Sequence, residues 1–411
     1  MRFCVLFFML VFFLTSASVH GDPLTWSDCV RETLNANSEL SIEKQALRKV
    51  DTEIGIGRSG YLPSVSLQGS YSQDLSNTNM PSVSSLGIFA SQRLFPGLLN
   101  RPEEWKAQAH LEGENAHWQD TLAGVRLDLI TAYAQLWFGQ EWIKLAESIS
   151  KRRDQNSALV YARYQAGREH KGSYLRAKIQ ADQAALDFQH SKRDVSVAQQ
   201  TLLHIMGLPL DKAIEVASSS ETVRLESPSE FHSLAKLTPA VREAQSAYQV
   251  ALASYVLTES AYLPVLNASL SAAKTDPFTT GSSDIFGKIS LSFPLFQGNR
   301  APYDFESSKA DIALSKLLIE QAYSQAYLNL NSRFVSAQEA LELEHLQLSV
   351  VEAAQVRAEI ARAQYNTGLL LFENWDVIES DLITQQKLKL ARHRDAWIGL
   401  AQFEKTMGKG F

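Results

Sequence analysis

The chain is poor in the residues that staple a fold, break it or bias its charge. Only two of its 411 residues are cysteine, Cys4 and Cys29. Cys4 lies in an apolar leader, so Cys29 is left without an intramolecular partner, which excludes a disulfide framework and a CxxC metal or redox site. An unpaired buried thiol is the reading that remains. Charge is equally modest: 39 Lys+Arg stand against 45 Asp+Glu, a formal net charge of −6. Loss of Arg2 with the leader makes that balance slightly more negative, so nucleic acid is not an expected partner. Proline is missing between Pro102 and Pro209, and again from Pro302 to the C-terminus. Helix can therefore run far in both stretches. None of the nine histidines falls in an HExxH pattern and no Gly-rich phosphate loop follows a strand. Glu169-His170 reads as a surface pair, so neither catalysis, cofactor nor metal is expected.

What is present begins with a secretory leader. Arg2 precedes an unbroken apolar run from Phe3 to Leu14, and small or polar residues follow to Gly21. That run is too short for a membrane helix, which needs ~20 residues, and 1–21 reads as a signal peptide with the mature start near Asp22. Trp26, Ser27 and Asp28 before Cys29 do not form a lipobox, so the mature chain is expected to be unlipidated.

One displacement recurs through the rest. Tyr61-Leu62-Pro63 returns as Tyr262-Leu263-Pro264, Leu94-Phe95 with Gly97 as Leu295-Phe296 with Gly298, and Tyr164 with Gly167 as Tyr365 with Gly368, each 201 residues on. Met206-Gly207 likewise returns as Met407-Gly408. A constant offset over this span means two tandem copies of one unit. The first copy is expected at 22–210, with a helix from Ser27 to about Gly57, a β-hairpin at 62–96, a long helix at 102–166 and a return helix at 172–207. The second is expected at 238–411, with a helix from about Pro239 to Ala261, a hairpin at 263–296, a long helix at 302–367 and a return helix at 370–408. Residues 211–237, with Ser218 to Ser229 at their centre, read as the linker.

The hairpins carry period-two patterning. Val65, Leu67, Gly69 and Tyr71 alternate with serines and Gln68, and Leu266, Ala268, Leu270 and Ala272 alternate with Asn267, Ser269 and Ser271. Leu86, Ile88, Ala90 and Leu94 correspond to Gly287, Ile289, Leu291 and Leu295. Runs of roughly ten residues match transmembrane β-strands, with Val65, Leu67, Tyr71, Leu86, Ile88, Leu266, Leu270, Ile289 and Leu291 expected to face lipid. The long helices carry a coiled-coil stripe: Trp118, Leu122, Val125, Leu129, Ala132, Leu136, Ile143 and Ala146, and more loosely Leu330, Phe334, Ala337, Leu341, Leu348 and Val351. Strands in lipid must close into a barrel without free edges, and four cannot. Two or more protomers must then contribute, giving eight strands from a dimer or twelve from a trimer.

In this order and spacing the landmarks resemble the TolC family of outer-membrane efflux proteins, over essentially the whole mature chain. The fold class expected is mainly α with a small β part. The resemblance implies a homotrimer with a twelve-stranded barrel among outer-membrane lipid and a tunnel of twelve helices across the periplasm. It implies a passive exit duct of an efflux or type I secretion system, docked through a periplasmic adaptor to an inner-membrane transporter. It makes Gly167, Arg168, Gly368 and Leu369 candidate adaptor contacts at the periplasmic tips, although the glycines equally suit the left-handed turn that ends a helix. It also points to Asp376 and Glu379, three residues apart, as an acidic ring narrowing the tunnel. Here the pattern departs from the family, for the acids fall about two residues late after Leu369, Leu370, Leu371 and Phe372. An ordinary solvated face among Glu373, Asp376, Glu379 and Asp381, or an apolar constriction by Leu370 or Phe372, remains open beside the ring. The rival to a duct is a secreted periplasmic coiled-coil scaffold or adaptor, which would share the long helices but need no pair of lipid-facing hairpins.

Overall fold

A computed structural model describes residues 23–73, 82–95, 101–217, 231–276 and 282–411. The leader, the centre of the linker and Gly97 lie outside the described residues. The chain opens with α1 (Trp26–Ala36) and α2 (Ser38–Ser59), where the sequence suggested one helix. Asn37 breaks it. Its backbone is extended, its Oδ1 accepts from the Leu40 amide at 2.9 Å, and its Nδ2 donates to the Ile205 carbonyl at 2.7 Å. Asparagine is a strong N-cap because its side chain satisfies a helix amide that has no intrahelical partner. Cys29 is fully buried in α1, and burial pushes its thiol up to about 12.

Strands β1 (Ser64–Ser72) and β2 (Val83–Phe95) follow, then α3 (Pro102–Gln165) and α4 (Lys171–Met206). The second unit repeats the order after a short α5 (Phe231–Leu237): α6 (Pro239–Ser260), β3 (Val265–Thr275), β4 (Ser283–Ser292), α7 (Arg300–Thr367) and α8 (Phe372–Thr406). At 1.5 Å per residue the 64-residue α3 spans about 100 Å. The described start of the linker, 211–217, is held to the N-terminal segment. Leu24 bridges Val216 in parallel, with the Leu24 amide donating to the Glu215 carbonyl at 2.8 Å.

The helices form a layer in the order α4, α3, α8, α7, with α6 packed on α3 and α7, and α2 on α3. Within it the α3 stripe is internal: Val125, Leu129, Ala132 and Leu136 are all buried. The α7 stripe needs one correction. Leu330, Ala337 and Val351 are buried, but Leu348 is 47% exposed while Gln347 turns inward and donates to Gln385 Oε1 at 3.0 Å. Both outermost helices leave apolar side chains uncovered: Leu175, Ile179, Leu186 and Val197 on α4, and Leu346, Val356 and Ile360 on α7. No helix among the described residues is long and apolar enough to cross a membrane.

The strands make one antiparallel sheet in the order β1-β2-β3-β4, so the two hairpins join through β2 and β3. Its register pairs Leu67 with Ile88, Ile88 with Ala272, Ala90 with Leu270, and Ala268 with Ile289. Side chains alternate between faces along a strand, so Val65, Leu67, Tyr71, Leu86, Ile88, Leu266, Leu270, Ile289 and Leu291 share one face. Most of the serines, with Gln68, Asn267 and Lys288, occupy the other, together with Phe89 and Phe286. The Tyr-Leu-Pro motif has a mechanical role in both copies. Tyr61 donates its hydroxyl to Glu103 Oε2 at 2.5 Å, and Tyr262 donates to Asp304 Oδ2 at 2.6 Å. Each tyrosine thus pins the strand entry to the N-terminal end of the long helix that follows the hairpin.

Glu104 completes the first of these junctions. It accepts from Arg58 Nε at 2.6 Å and Arg101 Nη1 at 3.3 Å. The Arg58 hydrogen bond, followed by the Arg58 and Arg101 charges, holds its carboxyl below the usual carboxylate range. A depressed folded value means that its stabilisation is present above the ordinary carboxylate range and is lost as pH falls through the lowered value. Glu104→Gln is therefore expected to reduce stability at neutral pH and to flatten the acid limb of a thermal-unfolding series. An acid limb as steep as in the wild type would argue against the junction.

Candidate functional site

The two helical turns, α3 to α4 and α7 to α8, lie together at one end of the layer. Both are built alike. Gly167 and Gly368 adopt left-handed conformations (φ +69 and +83). The amide after each glycine reaches back into the helix, Arg168 to the Arg163 carbonyl at 2.8 Å and Leu369 to the Gln364 carbonyl at 2.9 Å. This closure satisfies carbonyls that a helix end leaves open. The next helices differ. His170 caps α4, its Nδ1 accepting from the Ser173 amide at 3.2 Å, while Leu371 precedes α8 without a side-chain cap. Gly167, Arg168, Gly368 and Leu369 are all exposed, Leu369 at 82%.

The turns are tied to each other. Arg163 donates from Nη1 to the Tyr365 carbonyl at 2.6 Å, and its guanidinium carbon lies 4.6 Å from the Tyr365 ring centroid. Tyr365 donates its hydroxyl to Glu169 Oε2 at 3.2 Å. Burial, followed by the charge of Glu169, raises that phenol above its ordinary value. Tyr365 stacks on Trp375 at 4.3 Å, and Phe372 closes on both rings edge-on. Phe372 is thus 3% exposed in an apolar cluster with Val160, Ala177 and Ala361, and Leu370 packs against the same cluster. Phe372 is thereby built into the packing of the turn, while Leu370 stays half-buried at its edge. The uncovered leucines are Leu369 and Leu371.

Asp376 and Glu379 likewise stand elsewhere than expected. They share a face of α8, but it is turned into the layer, and they are 2% and 3% exposed. Assembly in this conformation can only bury them further. Asp376 Oδ1 accepts from Arg153 Nη1 at 3.1 Å, and its Oδ2 accepts from Gln180 Nε2 at 2.9 Å and pairs with Arg176 Nε at 3.0 Å. Arg153 also donates from Nη2 to Ser380 Oγ at 2.8 Å. Glu379 pairs with Arg152 Nε at 3.4 Å. Burial pulls the Arg152 guanidinium down from its ordinary value, and the Glu379 carboxylate opposes that. Three arginines on α3 and α4 therefore answer two carboxylates on α8. The solvated-face reading fails for the same two acids, and only Glu373 and Asp381 of that group stay near solvent. Neither carboxylate is presented on the surface of the protomer.

Sequence reasoning missed Arg152, Arg153, Arg176 and Gln180. Their signal lay in the repeat itself. Across the 201-residue offset Arg152, Arg153 and Arg176 correspond to Ala353, Ala354 and Val377, and Asp376 to Leu175, so the first copy carries unrepeated positive charge and the second an unrepeated negative charge. No group of three or more His, Cys, Asp or Glu arranged to hold a metal occurs among the described residues.

Comparison with known proteins gives one family match, to the outer membrane efflux protein model, over residues 29–208 and 232–380. Protein CyaE of Bordetella pertussis is 20% identical over 283 residues, covering 66% of this chain. The chain spans 60% of the length of that relative. Among solved structures, the outer membrane protein VceC of Vibrio cholerae superposes with a TM-score of 0.79 at 16% identity, over 94% of this chain and 96% of that one. The MtrE outer membrane channel of Neisseria gonorrhoeae, in its open state, superposes at 0.80 and 17% identity, over 93% and 88%. CusC superposes at 0.82 and 16% identity, over 93% and 92%.

Proposed function

Because the chain belongs to the outer membrane efflux protein family, we propose that it forms the passive exit duct of a tripartite efflux or type I secretion system, assembled as a homotrimer. One observation carries the assembly. The protomer is an open slice whose β1 and β4 pair on one side only, and whose outermost helices α4 and α7 keep apolar faces uncovered. A sheet in lipid cannot retain free edges, and an exposed apolar stripe on a helix needs a partner. A second copy answers both needs when β4 meets β1 and α7 meets α4 of the next protomer. Three copies give twelve strands and twelve long-helix segments. The face bearing Val65, Leu67, Leu270 and Ile289 then meets outer-membrane lipid, and the hydroxylated face lines water.

In this reading the opposite end reaches through the periplasm. The exposed Gly167, Arg168, Gly368 and Leu369 meet the periplasmic adaptor, which couples the duct to an inner-membrane transporter. Asp376 and Glu379 act as the acidic half of a clasp that holds α8 to α3 and α4, rather than as the rim of a pore.

The assembly is tested by fractionation and conductance. We expect a heat-modifiable trimer that leaves the outer membrane only in detergent and conducts ions in planar bilayers. A monomer confined to the soluble periplasm would overturn the proposal and favour the secreted scaffold. The clasp is tested by divalent block. The block constant for magnesium is expected to be the same in the wild type and in Asp376→Asn with Glu379→Gln. Block abolished by the double substitution would restore the acidic ring.

A further inference from the structure

Below the clasp, α3, α4 and α8 line a small void of about 10 Å³ walled by Arg153, Phe372 and Asp376 and by three side chains with unanswered polar atoms. Asn156, 5% exposed, has no hydrogen-bond partner at either Oδ1 or Nδ2. Trp375, 1% exposed, has none at Nε1. Glu379 Oε2 holds Arg152 as an ion pair but accepts no hydrogen bond. Buried polar groups are nearly always satisfied, so this concentration at one small void points to something that occupies it.

The atoms say what. Two are donors, Asn156 Nδ2 and Trp375 Nε1, and two are acceptors, Asn156 Oδ1 and Glu379 Oε2. Reversing the Asn156 amide exchanges its atoms but leaves that count unchanged. A cation would use only the acceptors and an anion only the donors. Each carboxylate at the wall already has a guanidinium, Asp376 with Arg153 and Arg176 and Glu379 with Arg152. A water molecule gives two hydrogens and receives two, and a void of roughly 10–15 Å³ suffices for one. We propose that this cavity holds a single ordered water bridging Asn156 on α3 to Trp375 and Glu379 on α8. The water then belongs to the structure. It pins α3 to α8 across the seam between the two repeats, close to the turns that would have to separate for the helices to part. This inference stands on the protomer alone and does not depend on the transport reading.

The test is a structure of the detergent-extracted full chain at a resolution that shows ordered water, with a second data set from bromide-soaked crystals. Asn156→Ser and Asn156→Leu are compared with it by hydrogen exchange. We expect one peak within hydrogen-bonding reach of Asn156, Trp375 Nε1 and Glu379, with no bromide anomalous signal. Serine, which keeps a polar group and room for water, should preserve protection of the first turns of α8. Leucine, which fills the void and leaves Trp375 and Glu379 unanswered, should lower that protection by about tenfold. An empty cavity, a bromide peak, or protection in the leucine variant equal to wild type would overturn the proposal. If the leucine variant does not fold, the wild-type density and the bromide data decide it.

Discussion

Arg153→Met is expected to loosen the second turn and the start of α8 more than any other single side-chain change at this end. Arg153 is 8% exposed and spends its guanidinium on Asp376, Gln180 and Ser380. Its removal leaves Asp376, at 2% exposure, with Gln180 and the half-exposed Arg176 as its remaining partners. Truncating one member of a buried ion pair costs about 3–5 kcal/mol when the other charge is left unanswered, and Arg176 keeps the cost here toward the lower end. Amides of residues 372–380 should then exchange some ~10²–10³-fold faster, since local opening needs that much less free energy. Arg153→Met combined with Asp376→Leu should recover most of the protection, because well-packed apolar groups often replace a buried ion pair without loss. In bilayers the single variant should open more often, and the double less so. Unchanged exchange in Arg153→Met, or a double variant no better protected than the single, would remove the clasp.

Gly207→Ala is expected to cost far more than Gly167→Ala, although the two glycines share one backbone conformation, φ +70 and φ +69. A side chain in the left-handed region costs roughly 1–2 kcal/mol, and both variants bear that. At Gly167 a Cβ meets nothing within 4 Å. At Gly207 it would lie 2.1 Å from the Ala36 carbonyl oxygen and 2.5 Å from its carbon. This is backbone at the break between α1 and α2, and it cannot swing aside as a flexible side chain would. Relief requires moving the end of α4 off Asn37, which breaks the hydrogen bond from Asn37 Nδ2 to the Ile205 carbonyl and disturbs the core of Leu202, Leu203, Met206 and Leu129. A total of about 4 kcal/mol or more is expected once core contacts are lost. Thermal unfolding of the two variants side by side measures the difference, and equal losses would show that α4 does not press on the break.

Much of this architecture is legible in the residues, because it rests on short-range pattern. The 201-residue offset, the period-two runs after Pro63 and Pro264, and the proline-free stretches each report a local preference that the fold keeps. Gln347 for Leu348 shows where such reading slips. Period alone places Leu348 on the stripe, whereas the crossing of α7 with α8 gives a side-chain amide a partner in Gln385 and turns the leucine outward. Asn37 was legible in type but not in place, since a capping residue inside a helix-rich stretch acts as a cap only where something packs against the break, here the end of α4.

Residue pattern alone set the duplicated unit, the helix and strand types and the apolar faces of the strands. Each follows from periodicity and proline chemistry. The tertiary structure decided the fate of the charges. Asp376 and Arg153 lie 223 residues apart, and no local preference says whether a carboxylate on an amphipathic helix faces water, a lumen or a neighbouring helix. The packing of α8 against α3 and α4 chose the last, because two desolvated acids persist only where guanidinium groups from the facing helices meet them.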